Sequence, residues 1–187
     1  MTPVAFVLAC LALLVTPGPT NTLIALRAVQ GGVPAALRLV PAELAGYGLA
    51  ILPLALFGQA VLADLPALAA GLKVVAALWV ALLAVRLWRP VPSGAAVGDV
   101  TGRQVFLTTL LNPKALVFGL VLFPGTAAPL PVLLVLFGLC IVAVASFWAL
   151  AAQVLARGRA GLVRRAASAV LMLFAALLAQ AGLAGTF

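Results

Sequence analysis

Long apolar blocks follow one another along this chain, separated by short polar segments. Residues 1–26, 44–63, 115–156 and 166–187 carry no charged side chain. A helix crosses the hydrocarbon core of a bilayer in about 20 residues. On that measure the pattern predicts six spans, near 3–26, 39–62, 66–88, 104–124, 131–155 and 164–184. The uncharged run 115–156 holds two of them with a turn between. Lys73 and Lys114 fall inside the third and fourth.

Two of the blocks are interrupted. Thr16-Pro17-Gly18-Pro19-Thr20-Asn21 lies within the first, and Asn112-Pro113-Lys114 within the fourth. Proline removes a backbone donor and blocks the helical bond before it. In lipid the freed carbonyls find partners only inside the protein or at a protected cavity. Proline- or glycine-broken segments at matching places in two halves of a membrane chain point to a transporter's binding site. The other reading is a simple proline kink. The two prolines around Gly18, with Thr16, Thr20 and Asn21 beside them, favour a polar niche for substrate.

The longest polar stretch, Arg89 to Arg103, separates three predicted spans from three more. The expected architecture is therefore one all-α transmembrane domain over 1–187. Its halves are about 1–89 and 103–187, joined by a loop at about 89–103. An odd number of spans per half makes the halves inverted relative to each other, with helices 1 and 4 broken at proline. Small residues such as Gly46 and Gly48 suit close helix approach in lipid and permit a homodimer.

Composition agrees: 66% of residues are hydrophobic and 7% charged, which excludes an ordinary soluble domain. The first block lacks the basic flank and cleavage site of a secretory signal, so Met1 is expected to begin the mature protein. The net charge of +8 invites a nucleic-acid reading, but the cations do not cluster on one soluble face. Arg27 and Arg38 flank the first loop, Arg86, Arg89 and Arg103 the third, and Arg157, Arg159, Arg164 and Arg165 fill the fifth. The opposite side has Lys73, offset by Asp64. Arginine-rich loops stay in the cytoplasm, so both termini are expected outside. Trp88, beside Arg89, suits an interfacial anchor, whereas Trp79 and Trp148 lie deeper and read as packing.

Three side chains carry candidate chemistry. Lys114 lies eleven residues past Arg103, about 16 Å into the membrane at the helical rise. A centred lysine costs roughly 2.5–3.5 kcal/mol to insert, which argues against its facing lipid. It can hold a substrate carboxylate, neutralise Glu43, or cap the carbonyls of a broken helix. Glu43 is the one acid well inside a predicted span and is a candidate proton carrier; a charge snorkelling to the interface is the alternative. Tyr47, four residues on, shares its helix face. The chain has no histidine and two cysteines. Metal sites built on His and Cys, a Ser/His hydrolase, and enzymatic function in general are thus not expected, nor is a cofactor. Cys10 and Cys140 read as small buried hydrophobes, with a transmembrane thiol–disulfide electron carrier as the alternative.

At the two breaks the chain resembles the LysE/RhtB family of amino-acid exporters. Thr16-Pro17-Gly18-Pro19-Thr20-Asn21-Thr22-Leu23 is similar to that family's first-helix signature. Leu111-Asn112-Pro113-Lys114-Ala115, followed by Phe118, Phe123 and Pro124, is similar to its second. It departs from the pattern at the start of span two, where Pro41 stands at an expected glycine and Glu43 is a displaced acid. The resemblance implies a bacterial inner-membrane efflux protein for amino acids or similar small metabolites, driven by the proton gradient. Substrate-binding residues would then be Thr16, Pro17, Gly18, Pro19, Thr20, Asn21, Asn112, Pro113 and Lys114, with Glu43 and Tyr47 in proton coupling.

Overall fold

A computed structural model of the chain describes residues 1–64, 74, 77–85, 88, 99–155 and 160–183. Every regular element among them is helical: α1 (Pro3–Val15), α2 (Pro19–Leu37), α3 (Val40–Asp64), α4 (77–85), α5 (Gly102–Leu110), α6 (Lys114–Val117), α7 (Leu130–Leu155) and α8 (Ala160–Leu183). Phe118–Leu122 continues α6 as a π-helical turn. Among the described residues, α3 and α7 are long and apolar enough to cross a membrane. Counting the bent pairs α1/α2 and α5/α6 as one span each makes four. Leu8, Leu49, Val135, Leu139, Leu150 and Val154 point outward, each more than half exposed. A water-soluble monomer does not display so much contiguous apolar surface. The chain is a membrane-embedded, multi-pass helical protein.

Both breaks fall at the prolines. α1 starts at Pro3, with Thr2 Oγ1 accepting from Ala5 N at 3.3 Å. It ends at Thr16, which adopts ψ 130° because the ring of Pro17 disfavours the helical conformation before it. Gly18, in extended conformation, precedes Pro19 at the first position of α2, where a missing N–H costs nothing. The chain turns by 66° there and by 53° between α5 and α6. Leu111 and Asn112 close the second corner, their amides donating to the carbonyls of Leu107 (3.1 Å) and Thr109 (3.0 Å). Thr101 and Gln104 form a reciprocal capping box that opens α5.

The sequence expectation that the first span ends at residue 26 and that Arg27 flanks a loop is corrected. α2 runs on to Leu37, and Arg27 is a helical residue bonded to Asp99 at 2.8 Å. The irregularity comes later, at Gly32, whose φ of 83° lies in the left-handed region that glycine tolerates. An arginine can sit on a helix because its alkyl stem packs while its head reaches a partner. The predicted spans at 39–62, 131–155 and 164–184 match α3, α7 and α8 to within a few residues. Most of span 66–88, most of the 89–103 loop, and Lys73, Arg86, Arg89, Arg157 and Arg159 lie outside the described residues.

Packing concentrates where the breaks meet. α2 lies along α7 and α8, α3 along α5 and the π turn, and α1 along α7. Phe137 of α7 sits among Tyr47, Phe118 and Phe123 with ring centroids 5.5, 4.8 and 5.5 Å away. Phe6 of α1 joins through Phe123 at 5.2 Å. Two glycines set the approach of α3. A Cβ on Gly46 would stand 2.8 Å from Phe106 O and 2.9 Å from Thr109 Cβ, and one on Gly119 would stand 2.5 Å from Leu54 Cβ. Neither position has room for a side chain.

Candidate functional site

The end of α1 explains much of the local design. The last carbonyls of a helix have no intrahelical partner, and in lipid each bare one costs several kcal/mol. Here side chains supply the donors. Thr16 Oγ1 donates to Ala12 O at 2.9 Å. Asn21 Nδ2 donates to Leu14 O at 2.7 Å and Thr16 O at 3.0 Å. Lys114 Nζ reaches the same two carbonyls, at 3.5 Å and 2.6 Å. Asn21 belongs to the helix after the first break and Lys114 to the helix after the second. The two interruptions, 98 residues apart between Thr16 and Lys114, are thus bonded to each other.

A second set of polar groups adjoins them. Thr20 Oγ1 and Thr109 Oγ1 are 3.1 Å apart. Asn112 Nδ2 donates to Thr20 Oγ1 at 3.3 Å and to Tyr47 Oη at 3.4 Å, while its Oδ1 accepts from Lys114 N at 3.1 Å. Asn112 therefore caps the helix that carries Lys114 and bridges it to α2 and α3. Thr20, Asn21, Tyr47, Thr109, Asn112 and Lys114 are all buried. Such a polar cluster inside a membrane protein is a functional-site hypothesis by default.

Glu43 is different. It is 3% exposed, and its Oε2 has no hydrogen-bond partner among the described residues. It makes no ion pair with Lys114 within 4 Å. Of the three roles open to Lys114, the capping contact is the one formed in this structure. An ammonium has three donors, so two carbonyl contacts leave one N–H unused. Gly18 matters here: a Cβ at that position would lie 3.3 Å from Lys114 Nζ and 3.7 Å from the ring of Phe174. Bare backbone at residue 18 lets the ammonium approach the break.

The structure brings together Thr16, Gly18, Thr20, Asn21, Asn112 and Lys114. Pro17 is exposed at the corner; Pro19 and Pro113 shape backbone and contribute no polar group. Tyr47 joins through Asn112. Sequence reasoning passed over Thr109, and Thr108, which accepts from Trp79 Nε1 at 2.9 Å. Their signal was two adjacent hydroxyls just ahead of Asn112 in an apolar run. Trp148 packs against the core as expected, and its buried indole Nε1 has no partner among the described residues. Cys10 and Cys140 are buried free thiols. No group of three or more His, Cys, Asp or Glu side chains able to hold a metal occurs among the described residues. The chain matches no protein-family model, no curated protein and no solved structure.

Proposed function

We propose that this protein exports small zwitterionic metabolites, amino acids foremost, from the bacterial cytoplasm in exchange for protons. The observation that carries the reading is the meeting of both helix breaks around a buried cation, with a buried carboxyl oxygen on the neighbouring helix that has no partner among the described residues. Broken helices with free termini at membrane depth serve transporters as substrate sites. The resemblance of both break motifs to the LysE/RhtB exporters supports the same class. In this reading six spans form two inverted three-helix halves with both termini outside. Substrate binds between the breaks at Pro17–Pro19 and Pro113, and the third N–H of Lys114 takes its carboxylate.

Glu43 carries the proton, with Tyr47 beside it. One elementary charge moved through about 100 mV supplies roughly 2.3 kcal/mol. At about 1.4 kcal/mol per tenfold, that sustains a gradient of roughly fifty-fold per proton. The test is efflux from cells fed dipeptides, with released amino acids followed by mass spectrometry. Faster release of one or a few amino acids, abolished by a protonophore and by Lys114→Ala, is expected. Unchanged release of every amino acid overturns the proposal.

A second reading, electron transfer through a Cys10–Cys140 disulfide, rests on two buried free thiols carried by α1 and α7, helices that pack along each other. Export that survives Cys10→Ala together with Cys140→Ala removes it.

A further inference from the structure

We propose that Glu43 is the subsite for the ammonium end of the substrate, so that substrate and proton take turns on one carboxylate. The inference rests on the export reading above and specifies which ligand its site admits.

A carboxylate is an acceptor with several lone-pair sites, and leaving one bare in a buried setting is costly. Glu43 nonetheless has an Oε2 with no partner among the described residues, at 3% exposure. A structural acid buried to this degree is normally paired. The elements packed against α3 bring little to it. α6 contributes Lys114, whose ammonium is turned to the carbonyls of Leu14 and Thr16. Tyr47 lies on its own helix. Arg103 of α5, and Arg27 and Arg38 at α2, form no ion pair with it within 4 Å. α7 carries Cys140 and no charged side chain, and the π turn has no titratable group.

A row of polar groups connects the acid's helix to the cation. Tyr47, one turn from Glu43, accepts from Asn112, and Asn112 in turn accepts from the Lys114 amide. Gly46, on the intervening turn, lets Thr109 come against α3. A buried carboxyl and a buried ammonium are thus held apart, with amide and hydroxyl groups linking their helices. A zwitterion laid along that row places its carboxylate on the free N–H of Lys114 and its ammonium on Glu43 Oε2. Signs then alternate and the site's net charge is that of the empty site with Glu43 ionised. An esterified amine leaves the Lys114 charge uncompensated, which is unfavourable in a buried setting, and an N-blocked acid lets Glu43 keep its proton but gives up the charge-assisted bond to Oε2.

When substrate arrives, the Glu43 carboxyl gives its proton to solvent and the carboxylate pairs with the substrate ammonium. When substrate leaves, a proton takes the vacated oxygen. Exchange follows because one carboxylate cannot hold both.

The test uses the purified full chain in detergent. Each standard L-α-amino acid is titrated calorimetrically, and the tightest binder is compared with its N-acetyl and methyl-ester derivatives. Proton release is read with an indicator dye in weakly buffered solution. We expect N-acetylation to weaken binding by about tenfold or more, the scale of one charge-assisted hydrogen bond. We expect the free amino acid to release protons on binding, Glu43→Gln to abolish the release and weaken binding to the same degree, and Glu43→Asp to restore release. The melting temperature of each variant reports that it is folded. Equal affinity for the N-acetyl derivative, which needs no variant, overturns the subsite. Binding without proton release across the pH range in which the wild type stays folded overturns the shared carboxylate. Failure of the folded wild type to bind any amino acid overturns the export reading itself.

Discussion

Two donors serve the same two carbonyls at the end of α1, and this redundancy has a measurable consequence. Asn21→Ala removes bonds of 2.7 and 3.0 Å, but Lys114 still covers Thr16 O at 2.6 Å and lies 3.5 Å from Leu14 O. Lys114→Met removes the ammonium, and Asn21 then keeps both carbonyls satisfied. Each single change is expected to cost about 1–2 kcal/mol, the net worth of a hydrogen bond. The lysine change sits at the low end because it also relieves the burial of a charge. The double variant leaves Leu14 O bare in a buried setting, which adds about 1–3 kcal/mol beyond the sum. Thr16 O loses both donors in the same variant, and in lipid a bare carbonyl adds to the loss. SDS-titrated unfolding of the four proteins closes the cycle. Additivity within about 0.5 kcal/mol would refute the account of Lys114 and Asn21 as joint caps.

Other changes have equally definite outcomes. Gly46→Ala sets a Cβ against the Phe106 carbonyl at 2.8 Å, and backbone cannot yield as a side chain would. Unfolding titrations should show a loss of about 1–3 kcal/mol, and no loss would mean that α3 and α5 are not in close contact. Trp148→Phe deletes an indole N–H that has no partner among the described residues. Stability should hold or rise, since a bare buried donor costs about 1–3 kcal/mol; a marked drop would reveal a missed partner. Arg27→Gln breaks an ion pair whose Asp99 side is 60% exposed. The unfolding free energy should move by less than about 1 kcal/mol, and a larger change would show that the pair is shielded from solvent.

The sequence made the helical class, the membrane setting and the places of both breaks legible, because hydropathy and proline act locally. Thr16 to Asn21 and Asn112 to Lys114 could be located without any tertiary knowledge. What stayed hidden depends on rotation and long-range contact. Lys114 was equally compatible with binding substrate, neutralising Glu43 or capping carbonyls, and only the fold places it 2.6 Å from Thr16 O. Thr109 went unnoticed since a hydroxyl in an apolar run acquires meaning from the face it occupies. A charge in an apolar run does not by itself mark a boundary: Arg27 lies within α2 and its guanidinium reaches Asp99.

The scale of the contacts between the breaks bears on how the molecule could move. Among the described residues, five bonds link the chain before residue 64 to the chain after 99 at this level: Thr20–Thr109, Asn112–Thr20, Asn112–Tyr47, and Lys114 to the carbonyls of Leu14 and Thr16. Side-chain hydrogen bonds between membrane helices average about 0.6 kcal/mol in double-mutant cycles, so the seam as a whole is worth about 3 kcal/mol. A ligand bound with a dissociation constant near 1 mM supplies about 4 kcal/mol. The two are of one size. A seam of strong ion pairs would resist such a ligand, and a seam of apolar contacts alone would offer it nothing to exchange. Weak, polar bonds are what the substrate proposed above would replace one for one, and the break prolines remove backbone bonds at the same level.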